Sequence, residues 1–526
     1  MNQSKHTSKS DIPVLLLLFA FAFGILYICT ASSPRYAINP WNDANAFLSM
    51  GKAMSSRITI YKDIFEQKGP LLYLIHAIAS RISATSFTGV YVMQSLALGT
   101  TAFAAYKISS LYISTGFSII SAVLTCFVTV NSGCYYYGDS AEEFCLPLLM
   151  ISLYFFCVYF RDTKKNTLCK FIYFFVGFLA GCVAMIKFTV IGFWFAWAAY
   201  ISLYTWIAKK DFKTAAANAL IFIIGMAAAI IPWIAYFAFK GALNDFINVY
   251  FVINATAYPK VENLGIAARL LKPIYTFATN LAVAPVLFSL GILGILLFAV
   301  TNIFAEKKFF SRLSVPFVCG LGIYIIFFGI RYYNYYVLPL SAFMIFSFTA
   351  LGALAEKVPA IKKKKLVPVF LCIATIISTV VGSNYINLSS KYVARSNEKT
   401  VQSDVAEYIN EHNPNGKLLN YGVLDAGFYL AANQVPQFRH FEAQNLIYDK
   451  FPENTDEQNR YIDDNEADFV VFTGGAGITA EDLYRSNKSL DSDYNLVMTE
   501  YYSIRSSGYK AKELKRVCYL FELKED

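Results

Sequence analysis

IPVLLLLFAFAFGILYICTAS, residues 12–32, decides how the whole chain is read. Lys5 and Lys9 precede it, as they would precede a secretory leader. The apolar stretch, however, outruns a signal core of about 7–15 residues. It is long enough to cross a hydrocarbon core of about 30 Å as a helix. Further apolar runs follow at about 89–111, 114–135, 141–160, 171–187, 189–208, 214–238, 276–304, 315–330, 335–355 and 366–384. A leader ahead of a soluble enzyme would not be followed by such a series, so 12–32 reads as the first of eleven spans. Composition agrees. Hydrophobic residues make up 56% of the 526 and charged residues 15%, where a soluble chain carries about 25% charged. Disorder, a collagen-like repeat and a small disulfide-stapled fold are all excluded.

Charge divides the chain in two. Residues 391–526 hold 15 Lys/Arg and 23 Asp/Glu, whereas residues 1–390 hold 30 and 13. The basic excess of the apolar part gathers in Arg161/Lys164/Lys165/Lys170, Lys209/Lys210/Lys213, Lys307/Lys308/Arg312 and Lys357/Lys362–Lys365. Loops of that kind stay on the cytoplasmic side. Placing all of them there, with the N-terminus, requires eleven spans and leaves the acidic tail outside. It also requires PLLYLIHAIASRISAT, 70–85, not to cross. That stretch reads as a juxtamembrane or re-entrant helix, which protein or water must cover. Three external loops follow from this parity, 33–88, 133–143 and 239–275. An acidic tail argues against nucleic-acid binding.

The chain therefore reads as a polytopic α-helical membrane part, 1–384, and an external soluble α/β domain, 385–526. In the tail, 397–413 has helical spacing and VLDAGFYLAANQ (423–434) suggests a second helix. KLLNYG (417–422), DFVVFTGG (468–475) and RVCYLFEL (516–523) read as strands. GGAG (474–477) lacks nucleotide-loop spacing and reads as a turn. Ten cysteines form no CxxC pair and four histidines form no metal-ligand grouping, so neither a metal nor another cofactor is expected.

Candidate chemistry lies in the external loops, since ionisable groups at a membrane surface are costly and tend to be functional. Asp43 in NPWNDANAFLSMGKAM opens an amphipathic helix, either as a cap or as a carboxylate able to take a proton from a hydroxyl. Asp63, Glu66 and Lys68 precede Gly69-Pro70, and Lys68 either contacts a phosphate or snorkels. Asp139, Glu142 and Glu143 in GDSAEEF open the fourth span, either as favourable helix-start charges or as functional acids. Lys187, between two apolar runs, and Arg331 in RYYNYYVLPL are each placed for a phosphate, with Tyr335 beside Arg331. The bland alternatives are a loop charge and an interfacial aromatic belt.

The order of these segments resembles the GT-C superfamily of polyprenyl-phosphate-sugar-dependent glycosyltransferases, above all protein O-mannosyltransferases and lipid A aminoarabinose transferases. The resemblance is carried by Asp43 after the first span, Lys68-Gly-Pro-Leu-Leu-Tyr-Leu about 25 residues on, GDSAEEFCLPLL, and RYYNYYVLPL. Ala44 follows Asp43 where the family often has a second acid, and Gly69 replaces a proline. The resemblance implies an inverting transferase of the cell membrane. It moves a sugar from a polyprenyl-phosphate donor to a hydroxyl of a glycan, glycolipid or protein on the external face. Asp43, with Glu142 and Glu143 as alternates, would be catalytic. Lys68, Asp63, Asp139, Lys187, Arg331 and Tyr335 would bind substrate. The competing readings are a polysaccharide polymerase or ligase and a transporter or flippase. The latter would show an internal repeat, and the sequence has none. The tail is expected to modulate the enzyme or recruit the acceptor without carrying the base. The topology is checked by reporter fusions after Lys365 and after Ser390, which should report opposite sides of the membrane.

Overall fold

A computed structural model describes residues 11–161, 167–257, 265–281, 284–305, 308–328, 333–358, 373, 400–505 and 513–525. The expected span at 366–384, the boundary at 385 and Arg331 lie outside these residues. The membrane part is helical. It opens with α1 (Ile12–Cys29), α2 (Asn42–Ser55), α3 (Pro70–Ile82), α4 (Thr88–Ser110) and α5 (Thr115–Asn131). It continues with α6 (Ala141–Arg161), α7 (Lys170–Lys187), α8 (Gly192–Ile207) and α9 (Phe212–Phe239). Among the described residues six helical stretches are long and apolar enough to cross a bilayer, with Lys170–Ile207 counted as one.

Two expected spans are built differently. The run at 276–304 is divided into α10 (Ile266–Thr279) and α11 (Pro285–Val300). A proline suits the first turn of a helix and cannot continue a preceding one, so Pro285 starts α11. The run at 335–355 is a 3₁₀ segment, Asn334–Phe343, leading into α13 (Met344–Ala355), after α12 (Phe309–Phe327). Pro339 sits inside the 3₁₀ segment, where its missing N–H is compatible with a broken hydrogen-bond ladder.

Small residues set the close approach of α7 and α9. A Cβ on Gly177 would fall 2.0 Å from the Phe222 carbonyl oxygen, and one on Gly181 would fall 2.5 Å from that of Met226. Positions 177 and 181 thus meet 222 and 226, so α7 and α9 run parallel and α8 returns between them. Lys170 and the Lys209–Lys213 group consequently share one end of the bundle, and Lys187 lies at the other. Small-xxx-small spacing brings backbones into van der Waals contact where lipid supplies no hydrophobic drive.

At the Lys187 end, α2 and α3 form a platform. With 13 residues, α3 is about 20 Å long, short of the hydrocarbon thickness. Its exposed residues Leu74, Ile78 and Ile82 form one apolar stripe at i, i+4 and i+8, and the opposite face packs on α2.

The C-terminal lobe holds α14 (Val401–His412), β1 (Leu418–Asn420), α15 (Glu453–Asp463), β2 (Phe469–Gly475), β3 (Tyr494–Arg505) and β4 (Glu513–Leu523). Sheet order is β1-β2-β4-β3, with β1 parallel to β2 and the other pairs antiparallel. The three strands read from sequence are present. The helix expected over 423–434 is a single turn, Phe428–Ala431, entered through Gly427 at φ 93°. The polar edge strand β3 and the highly charged α15 were not anticipated.

The segment before α3 is pinned to the end of α7. The Gly69 N–H donates to the Ile186 carbonyl at 3.1 Å. A Cβ on Gly69 would lie 2.0 Å from the Met185 carbonyl oxygen, so backbone, not a movable side chain, excludes every other residue. Gly69→Ala is expected to cost about 1–3 kcal/mol, the usual range for overpacking. Thermal unfolding of the purified protein in detergent measures it.

Candidate active site

A cavity of about 400 Å³ lies where the α2–α3 platform, the Tyr-rich turn and the C-terminal lobe meet. Asp43, Glu66, Gln67 and Lys68 come from the first loop, Tyr333 and Tyr335 from the turn, and Leu424, Gln444 and Asn445 from the lobe. Trp41 and Tyr136 complete an aromatic wall, their ring centroids 5.2 Å apart, with Trp41 also 5.3 Å from Tyr335.

Asp43 is in the first turn of α2, but the cap position is Trp41 and no side-chain capping bond forms there. The Asp43 carboxylate instead accepts from the Tyr335 hydroxyl at 3.3 Å. Burial pushes its pKa up. The Lys68 charge opposes that shift and the Glu66 charge adds to it. A carboxylate held above its ordinary range is a stronger base. Lys68 is part-exposed to the cavity and pairs with Glu66 at 3.4 Å. Glu66 is anchored from behind by the Tyr73 hydroxyl and accepts the Lys68 backbone N–H at 2.9 Å. A cation and a carboxylate thus face one cavity, each held by a different partner.

Lys187 lies just beyond this wall. It is ion-paired with Glu142, and its ammonium sits 3.9 Å from the Tyr336 ring centroid and 5.3 Å from that of Tyr335. The second Glu142 oxygen is buried without a hydrogen-bond partner among the described residues.

The other acids named from sequence do not line the cavity. Glu143 is buried and accepts from Tyr135 at 2.7 Å, Gln94 at 3.0 Å and the Asp139 N–H at 2.8 Å. Asp139, at φ 76°, faces His76 at 3.0 Å, while the other nitrogen of that ring meets the Leu72 carbonyl at 2.8 Å. Burial raises the Asp139 pKa against the pull of His76. These contacts clamp the second loop onto α3. Asp63 accepts the Thr59 N–H at 2.9 Å and closes a turn. Glu66, Gln67, Tyr136, Tyr333 and the lobe residues were not named as site residues from sequence. Glu66 and Gln67, beside Lys68, and Tyr333, within RYYNYYVLPL, carried a local signal. Among the described residues no three His, Cys, Asp or Glu side chains gather to hold a metal ion.

The lobe is fixed to the platform by hydrogen bonds and an aromatic stack. Ser49 of α2 donates to Asp425 at 2.6 Å, Asn42 donates to the Leu424 carbonyl at 3.2 Å, and Phe65 stacks on Phe451 at 5.1 Å. Burial raises the Asp425 pKa to about 6. A carboxyl with a raised folded pKa binds its proton more tightly in the folded state. Its contribution to stability is therefore full below the unfolded value near 4 and fades as pH rises through about 6. Asp425→Asn should flatten the rise in melting temperature of the wild type as pH falls from 7 to 5, as read by calorimetry of the two proteins in parallel.

No family model matches the chain, and no curated protein matches it either. Solved structures do. ArnT from Cupriavidus metallidurans bound to undecaprenyl phosphate superposes with a TM-score of 0.56 at 12% identity, covering 97% of this chain and 98% of that one. The Archaeoglobus fulgidus oligosaccharyltransferase in its apo form gives 0.53 at 14%, covering 89% and 70%. Its complex with Zn and sulfate gives 0.51 at 13%, covering 94% and 72%.

Proposed function

From the GT-C membrane glycosyltransferase fold of this chain, we propose an inverting transferase that moves a sugar from a polyprenyl-phosphate donor to an acceptor hydroxyl. One observation carries the reading. A raised-pKa carboxylate, Asp43, and a cation, Lys68, share a cavity walled by Trp41, Tyr136, Tyr333 and Tyr335. The fold neighbour ArnT is bound to undecaprenyl phosphate, which supports a lipid phosphate as the donor's leaving group. The cavity lies at the end of the bundle away from the Lys209–Lys213 group. By the positive-inside rule that end is external, in a plasma-membrane protein with a cytoplasmic N-terminus and an external lobe.

In this reading Asp43 takes the proton of the acceptor hydroxyl as its oxygen attacks the anomeric carbon. The bond from that carbon to the phosphate oxygen breaks, and configuration inverts. Phosphate leaves without needing a proton, so one base suffices. Lys68 stabilises the charge that builds on the leaving group. Lys187, its charge held by Glu142 against the Tyr335–Tyr336 face, adds positive potential behind the cavity. Arg331 of the Tyr-rich turn is a further candidate for the phosphate. Aromatic faces suit the apolar faces of sugar rings and leave ring hydroxyls to polar groups.

The test is transfer and hydrolysis by the purified protein with polyprenyl-phosphate sugars. Asp43→Asn keeps shape and hydrogen bonding but cannot accept the proton, and should lower turnover about 10²–10⁴-fold. Lys68→Ala should raise the donor KM. Because Asp43 must be ionised, the wild-type rate should fall as pH drops, with its midpoint above the ordinary aspartate value of about 4. A tenth or more of wild-type turnover in Asp43→Asn would remove Asp43 as the base.

A further inference from the structure

The roof of the cavity is built of amides in a fixed orientation. The carboxylate of Glu442, 1% exposed, accepts the Asp425 N–H at 2.6 Å through one oxygen and the Gln444 side-chain NH₂ at 2.6 Å through the other. The Gln444 backbone N–H is held by Asn454 at 2.8 Å. With its NH₂ committed to Glu442, the Gln444 amide turns its oxygen toward Gln67, whose NH₂ donates to it at 3.1 Å. The Gln67 amide is thereby oriented in turn. Gln67 is a lining residue of the cavity, 3% exposed, and its side-chain oxygen is buried without a hydrogen-bond partner among the described residues.

A buried amide oxygen without a donor is unfavourable, and a relay of three side chains across two parts of the chain holds this one in place. The missing partner is a donor that enters the cavity. Its chemistry follows from what surrounds it. The roof offers amides and no cation. Amides that both donate and accept match hydroxyls that do the same, and the Trp41–Tyr136–Tyr335 wall offers faces for a ring.

We propose that Gln67, held by Gln444 of the C-terminal lobe, forms an acceptor subsite for a neutral, hydroxyl-bearing saccharide, with the Gln67 side-chain oxygen accepting from a ring hydroxyl. This rests on the transferase reading and narrows the acceptor class to carbohydrate. The lobe reaches the cavity from the side opposite the membrane, so its amides meet a substrate arriving from water, while the lipid-borne donor meets Lys68. Gln67 and Gln444 are specificity-determining residues and take no part in the proton transfer.

The experiment applies labelled full-length protein in nanodiscs to an array of neutral saccharides, anionic saccharides and Ser/Thr peptides. It is run with and without undecaprenyl phosphate in the bilayer. Wild type should be retained on neutral saccharides. Gln67→Leu and Gln444→Leu should each lower that signal at least five-fold, with melting curves confirming that both fold. Should either fail to fold, Gln67→Met, which keeps the volume and removes the amide, takes its place. Retention on peptides or anionic saccharides instead, or equal retention by wild type and variants, overturns the subsite. Loss of saccharide binding when undecaprenyl phosphate is added would place the hydroxyls on the donor sugar and also overturns it. Saccharide binding without transfer from any lipid-linked donor supports the subsite and sinks the transferase reading.

Discussion

The contact of residues 66–69 with the end of α7 is the constraint on which the cavity depends. The Gly69 N–H bonds to Ile186 while its Cα side rests on the Met185 carbonyl. That approach places Lys68 at the mouth of the cavity and Gln67 in its roof, and it brings the first loop beside Lys187. Only a residue without Cβ permits it, because both facing atoms belong to backbone. Proline at 70 then starts α3 with a φ it already favours. The loop between α2 and α3 is thus closed by local stereochemistry at one end and by the C-terminal lobe at the other.

Charges around the cavity are arranged so that Asp43 and Lys68 are each paired with a different group. Glu66, not Asp43, is the ion-pair partner of Lys68, and Asp43 is left with a phenol. Lys187 is paired with Glu142, and Asp139 with His76. Buried pairs of this kind add little net stability, because desolvation offsets most of the Coulomb gain. Removing one partner is costly, so they fix positions more than they strengthen the fold. The His76–Asp139 and Glu143 contacts tie the second loop to α3 and α4.

The lobe lines the cavity as well as covering it. Its three contributions to the cavity, Leu424, Gln444 and Asn445, sit in loops between its short strand β1 and helix α15. The sheet itself lies further away. Asp425 and Glu442 carry the load between that loop pair and α2, with protonation states sensitive to pH near neutrality in the case of Asp425.

Much of this was legible in the sequence. Apolar runs of membrane-crossing length, separated by basic loops, fix a polytopic helical protein, because a bilayer tolerates few other backbones. The composition shift near the end marks the lobe, and the apolar run of β2 with the alternation in β4 marks its sheet. Asp43 and Lys68 could be named because charged residues are scarce beside the apolar runs, and Tyr335 because it stands in the RYYNYYVLPL segment. Tertiary structure alone decided which acids reach the cavity. Asp63, Asp139, Glu142 and Glu143 have local signals as good as that of Asp43, and three-dimensional packing turns each of them toward a turn, a histidine, a lysine or a tyrosine. It alone brought Gln444 to Gln67 across 377 positions. Periodicity and charge report one residue's preference for water or lipid. They carry no information about which distant amide will meet it, since that is set by how whole elements pack.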